Sequence, residues 1–166
     1  LLKKENIIVK SIKQVDENFH ARHSCIQKIY QYNILTKIPS VFLNNRYWFI
    51  HKFDINEANE YAKYFIGTHD FSSFRNKTCQ AQSPVRTVNE FIFKKNNEEF
   101  PNLITATIKG KSFLQHQIRI MIGTIVELSK KNAPYEEIKN ILNAKERKYA
   151  KITAPASGLI LKEIIY

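Results

Sequence analysis

Cysteine is scarce: Cys25 and Cys79 are the two in 166 residues, and they are too far apart to form a ligand-spaced pair. A disulfide-stapled scaffold and a Cys-x-x-Cys motif are thereby excluded, and two reduced structural thiols are expected. His20 and His23 lie near Cys25, but His-x-x-His-x-Cys without a second cluster makes no metal site. No apolar run approaches the ~20 residues of a membrane helix, and no hydrophobic segment follows the basic start as in a secretory leader. A membrane is therefore not an expected partner, and the cytoplasm is the expected location. Internal repeats and low-complexity linkers are absent as well. Acidic residues are the remaining scarcity, 15 against 26 basic ones, for a net charge of +11 and a pI near 9.6. That imbalance points to a polyanion, and with membranes set aside to nucleic acid. Lys, Asn and Ile are all abundant, so part of the lysine excess is explained by a bias toward adenine- and thymine-rich codons.

What is present is a globular chain, 43% hydrophobic and 12% aromatic, long enough for one domain with a proper core. Residues 6–15 and 26–36 read as strands, and in the second Tyr30, Tyr32 and Ile34 share one face while Ile29 and Leu35 lie on the other. Asp54 and Glu57 fit a capping box opening a helix that turns Ile55, Ala58, Ala62, Phe65 and Ile66 inward and stops at Gly67. A polar loop is expected over 68–84, then strands over 85–93 and 103–109 joined by a turn around Asn96 and Asn97. A helix running to about Lys131 follows. Pro134 marks the start of another, with Glu136 and Glu137 in its first turn and Ile138, Ile141 and Leu142 inward. Residues 158–166 form a last strand. From Ile26 onward the order is β-α-β-β-α-β with one extra helix. That is an α+β chain in the split βαβ, ferredoxin-like arrangement, its antiparallel sheet covered by helices on one face.

Residues 111–123 place one arginine beside an apolar helical stripe of Phe113, Leu114, Ile118, Met121, Ile122 and Ile125. Burying the Arg119 guanidinium unpaired costs several kcal/mol, so it either snorkels to solvent or holds a carboxylate or phosphate in a cleft. Tyr30, Tyr32 and Arg119 are expected to line a basic, aromatic cleft on the open face of the sheet, away from the helices. Such a cleft suits stacked bases and phosphates.

The segments Phe19-His-Ala-Arg-His-Ser-Cys25 and Lys28-Ile-Tyr-Gln-Tyr32 resemble the entry into the C-terminal domain of bacterial tRNA pseudouridine synthase A proteins. Gly67-Thr-His-Asp-Phe-Ser-Ser-Phe74, Arg86-Thr-Val88, the stretch from Ser112 to Gly123 and Ala154-Pro-Ala-Ser-Gly-Leu-Ile-Leu161 resemble that family's later motifs, in the same order. The resemblance implies an isomerase that makes pseudouridine from uridine in the anticodon stem-loop of tRNA, a homodimer needing neither cofactor nor metal. It implies that Tyr30 stacks on the target uracil, that Leu159 walls the base pocket and that Arg119 pairs with the catalytic aspartate. Arg22, His69, Lys77, Lys109, Lys111 and His116 are candidate RNA contacts. The family's Arg-Thr-Asp-Ala-Gly-type motif has no counterpart in this sequence. Residues 1–21 are therefore expected to be a remnant of an N-terminal domain, 22–166 the C-terminal domain, and the chain alone inactive. Two alternatives stand beside this reading: a ferredoxin-like RNA-binding or dimerisation module without chemistry, and a domain that binds a small anion at Arg119.

Overall fold

A computed structural model describes residues 7–37, 46–96 and 100–166. The fold is mixed α+β, built on a mainly antiparallel sheet. Its central strand is β1 (Gln27–Leu35), flanked on one side by β6 (Leu103–Gly110) and beyond it β5 (Glu90–Lys95). The other edge of β1 is shared by β7 (Leu159–Ile165) and, in parallel, the two-residue β2 (Trp48–Phe49). A separate ribbon pairs β3 (Gly67–Asp70) with β4 (Val85–Val88).

The register decides which face is buried. Tyr30, Tyr32 and Ile34 stand opposite Ile108, Ala106 and Ile104, which in turn meet Phe91, Phe93 and Lys95. Tyr32, Ile34, Phe91, Phe93, Ile104, Ala106 and Ile108 are all buried, joined in one core with the inward residues of helices α1 (Ile55–Lys63), α2 (Gln117–Lys130) and α3 (Glu137–Ala144). Gln31, Asn33, Thr105 and Thr107 occupy the opposite face. The tyrosine face is thus the helix-covered one, contrary to the open-face cleft expected from the sequence. Tyr32 is fully buried, and its hydroxyl donates to the Pro155 carbonyl at 2.8 Å; it belongs to the core and lines no cleft.

Several boundaries differ from expectation. Residues 7–15 form no strand; Ile8 and Ile12 are 82% and 92% exposed, since alternating Ile and Lys yield a ladder only where a neighbouring strand pairs with them. The stretch expected to be a loop holds β3, and the single strand expected over 85–93 is broken at Asn89 into β4 and β5, which enter different sheets. Asp54 caps α1 by accepting from the Asn56 and Glu57 backbone, but the Glu57 carboxylate accepts from Ser129 Oγ on α2 instead of closing the box. Helix α1 ends at Lys63, and Gly67, at φ +108°, turns the chain into β3. The expected turn at Asn97 lies outside the described residues.

Behind the ribbon, Phe65, Phe71, Phe74 and Phe91 form an aromatic nucleus, with Phe65 and Phe74 edge-to-face at 4.9 Å. Asp70 braces its rim, accepting from Ser72 N at 2.9 Å and pairing with Lys145 at 3.7 Å. Burial pushes the Asp70 carboxyl up, but Ser72 and Lys145 outweigh it and hold the group below the usual carboxylate range. A depressed carboxyl stabilises the fold above its unfolded-state value and loses that contribution as pH falls through the folded one. Asp70→Asn should therefore cost about 1 kcal/mol at neutral pH and nothing near the acid limit. Urea titrations at both pH values check this, and an undiminished gap in acid contradicts it.

Candidate functional site

Chain geometry before α2 builds the site. Residues 111–116, expected to be helical, form a turn, and α2 begins only at Gln117. The turn is locked by Gln117, fully buried, whose side-chain carbonyl accepts from Leu114 N at 2.8 Å. His116 occupies the left-handed region (φ 63°, ψ 3°), a strained conformation for a residue with a Cβ, at the mouth of the site.

Arg119 is half-buried in the first turn of α2. Its Nε donates to the Ala154 carbonyl at 2.7 Å, while its own carbonyl accepts from Ala154 N at 3.0 Å. This reciprocal pair fastens a strap, residues 150–155, along the helix. Thr124 Oγ1 adds a third tie by accepting from Lys151 N at 3.1 Å. Gly123 permits the close approach: a Cβ there would fall 2.2 Å from the Ile152 carbonyl oxygen. With Nε committed to the strap, the two terminal guanidinium nitrogens make no hydrogen bond, and Arg119 no ion pair, among the described residues.

Tyr30, Arg119 and Leu159 border one cavity of about 470 Å³, together with Arg22 and His116. Phe113 holds the Tyr30 ring edge-on at 5.4 Å and 87°. Burial raises the Tyr30 phenol, with Cys25 adding to the shift, so the side chain enters the cavity neutral. The cavity thus combines an aromatic ring, an aliphatic wall and an arginine without a carboxylate. That composition suits a planar heterocycle attached to an anion.

The cavity lies where the covered face of the sheet meets the first turn of α2, not on the open face. The remaining candidates are scattered. Lys109 pairs with Glu90 at 3.1 Å, His69 Nε2 donates to the Ile66 carbonyl at 3.0 Å, and Lys111 is exposed; none of the three borders the cavity. Lys77 lines a second cavity, considered below. Phe113, Gln115 and Gln117 belong to the site yet were not singled out from the sequence, although they stand in the same motif as Arg119. Ala154 was quoted for its motif alone, and its tie to Arg119 has no local signature. The three aspartates are committed elsewhere: Asp16 to Asn18, Asp54 to the α1 cap, Asp70 to Ser72 and Lys145. Among the described residues no three His, Cys, Asp or Glu side chains gather as a metal site would need, and no helix is long and apolar enough to cross a membrane.

The model of a family described as tRNA pseudouridine synthase matches residues 61–166. Relatives named tRNA pseudouridine synthase A extend the similarity through the rest. The protein from Ehrlichia chaffeensis is 40% identical over 162 residues, covering 96% of this chain and 64% of its own length. That from Wolbachia pipientis is 40% identical over 167 residues, covering 99% of this chain and 66% of the relative. The Acetivibrio thermocellus protein is 35% identical over 164 residues, with 98% and 66% covered. The chain spans just under two thirds of the length of these relatives. Arg119 and Leu159 lie inside the stretch matched by the family model; Tyr30 and Arg22 lie outside it, within the longer similarity.

Proposed function

This chain belongs to the tRNA pseudouridine synthase family, and from that premise we propose that it carries the base-holding part of an enzyme that isomerises uridine to pseudouridine in the anticodon stem-loop of tRNA. The single observation that carries the reading is the meeting of Tyr30, Arg119 and Leu159 on one cavity. On this proposal the sheet with α1 and α2 is the split βαβ, ferredoxin-like unit, with β1, α1, β5, β6, α2 and β7 as its parts. Residues 22–166 would form that domain and 1–21 the end of a preceding one. The working protein would be a cytoplasmic homodimer.

The chemistry divides naturally. The N1–C1′ bond of uridine must break, the uracil must turn, C5 must join C1′, and the C5 proton must leave as N1 gains one. Before any of this the base has to leave its stack, at a cost of a few kcal/mol. Tyr30, neutral and held by Phe113, offsets about 1–3 kcal/mol of that by stacking, and Leu159 closes the other side. The nucleophilic carboxylate comes from outside the residues of this chain. Arg119 receives it through the terminal nitrogens that the strap leaves free, lowering its pKa by about 1–3 units so that it attacks ionised. Arg22 and His116, at the rim, meet the flanking phosphates.

The test joins this chain to the part of the Ehrlichia chaffeensis relative that it does not cover. The fusion should convert uridine in unmodified tRNA to carbodiimide-reactive pseudouridine, and the 166-residue chain alone should make none. Multiple turnover by the chain alone, or a folded fusion with no product, overturns the assignment.

A further inference from the structure

A second cavity, of about 350 Å³, is lined by Asn76, Lys77, Ile120, Arg147, Lys148 and Thr153. Two seams separate it from the first. One is the Arg119–Ala154 pair: Arg119 lines the first cavity, while Ile120 and Thr153, next in sequence to the two partners, line the second. The other runs from Asn76 N to the Gln115 carbonyl at 3.0 Å, with Gln115 on the first cavity and Asn76 on the second.

Arg147 is built into this cavity wall and does not drape over the surface. Its Nη1 donates to the Ala150 and Lys151 carbonyls, each at 3.0 Å, and its Nη2 to Thr153 Oγ1 at 3.1 Å. Its partners are neutral, and among the described residues it makes no ion pair. Burial alone presses on its charge. A partly desolvated guanidinium held by neutral acceptors retains a demand for an anion. Lys77 adds an exposed ammonium. Lys148 adds another, whose pairing with Glu146 at 2.7 Å is exposed on both sides and therefore readily exchanged for a phosphate.

Resting on the reading above, we infer that this second cavity grips a backbone phosphate of the RNA strand whose uridine occupies the first. The strap that orients Arg119 through Ala154 also supplies all three partners of Arg147, so base and phosphate are registered on one rigid segment. This assigns RNA contact to Arg147 and Lys148, and gives Lys77 a partner site in place of an isolated surface charge.

The experiment is tRNA binding by the 166-residue chain across a salt series. It compares wild type with K77Q/K148Q and with the charge-matched pair K94Q/K139Q, all four positions being exposed. Each lost phosphate contact lowers the salt slope by about one. The wild-type advantage over K77Q/K148Q should therefore shrink about sevenfold to tenfold between about 50 and 200 mM salt. K94Q/K139Q should keep the wild-type slope. Equal behaviour of the two pairs, with normal salt-dependent binding by wild type, overturns the second cavity and leaves the proposed function standing. Wild type that binds no tRNA, or binds it indifferently to salt, overturns both.

Discussion

Arg119→Lys in the fusion protein is expected to reduce kcat/KM about 10- to 100-fold, the loss of a charge-assisted bidentate contact worth about 1.5–3 kcal/mol. Lysine keeps the charge, so a purely electrostatic role would survive the change. What it loses is the planar fork, with Nε tied to Ala154 and both terminal nitrogens presented together. The Ala154 carbonyl is buried and must find another donor, at a cost of about 1 kcal/mol in stability. Steady-state kinetics beside urea denaturation separate the two effects. Turnover within about threefold of wild type would mean that Arg119 acts as a diffuse charge and that the fork is incidental.

Gly123→Ala should lower stability by about 1–3 kcal/mol, or roughly 2–12 °C in Tm for a chain of this size. The direction is the informative part. Alanine in a helix interior is worth about 1 kcal/mol over glycine, so at an open site the same change would stabilise. Here the new Cβ would meet the backbone oxygen of Ile152 at 2.2 Å, and backbone cannot rotate aside as a side chain does. The strap must lift, loosening the Ala154 pair that aims Arg119 and the Arg147 cluster with it. Differential scanning calorimetry decides the matter, and an unchanged or raised Tm contradicts the close approach.

The elements readable from sequence were those whose signal is local. The β1 run of Ile and Tyr, the Asp54 cap, the apolar stripe of α2 and the inward Ile138, Ile141 and Leu142 of α3 depend on neighbours within a few positions. The β3–β4 ribbon was hidden because four-residue strands carry too few alternations to stand out from a polar loop, and Asn89 has no breaker signature. The side of the sheet holding the cavity was legible and misread: Gln31 and Asn33 alternate with Tyr30, Tyr32 and Ile34, marking the tyrosine face as the buried one. The partner of Arg119 was not legible at all. Ala154 is 35 residues away, an alanine offering only a carbonyl, and no side-chain pattern reports such a contact. Tyr30 and Leu159 entered as site residues through family resemblance, while their shared cavity is a matter of strand pairing.

The pairing of β1 with β7 also sets a clock for biosynthesis. β1 emerges from the ribosome well over a hundred residues before β7, its antiparallel neighbour along Gln27–Tyr32. At translation speeds of ~5–20 residues per second, that edge waits roughly 6–25 s for its partner. β6 can zip onto the opposite side much sooner, leaving a nascent sheet with one row of unsatisfied amides and the Tyr32 ring without the Gly158 backbone that will press on it. Holdase chaperones that favour exposed strand edges should therefore engage this polypeptide after residue 110 has cleared the tunnel and let go once β7 arrives.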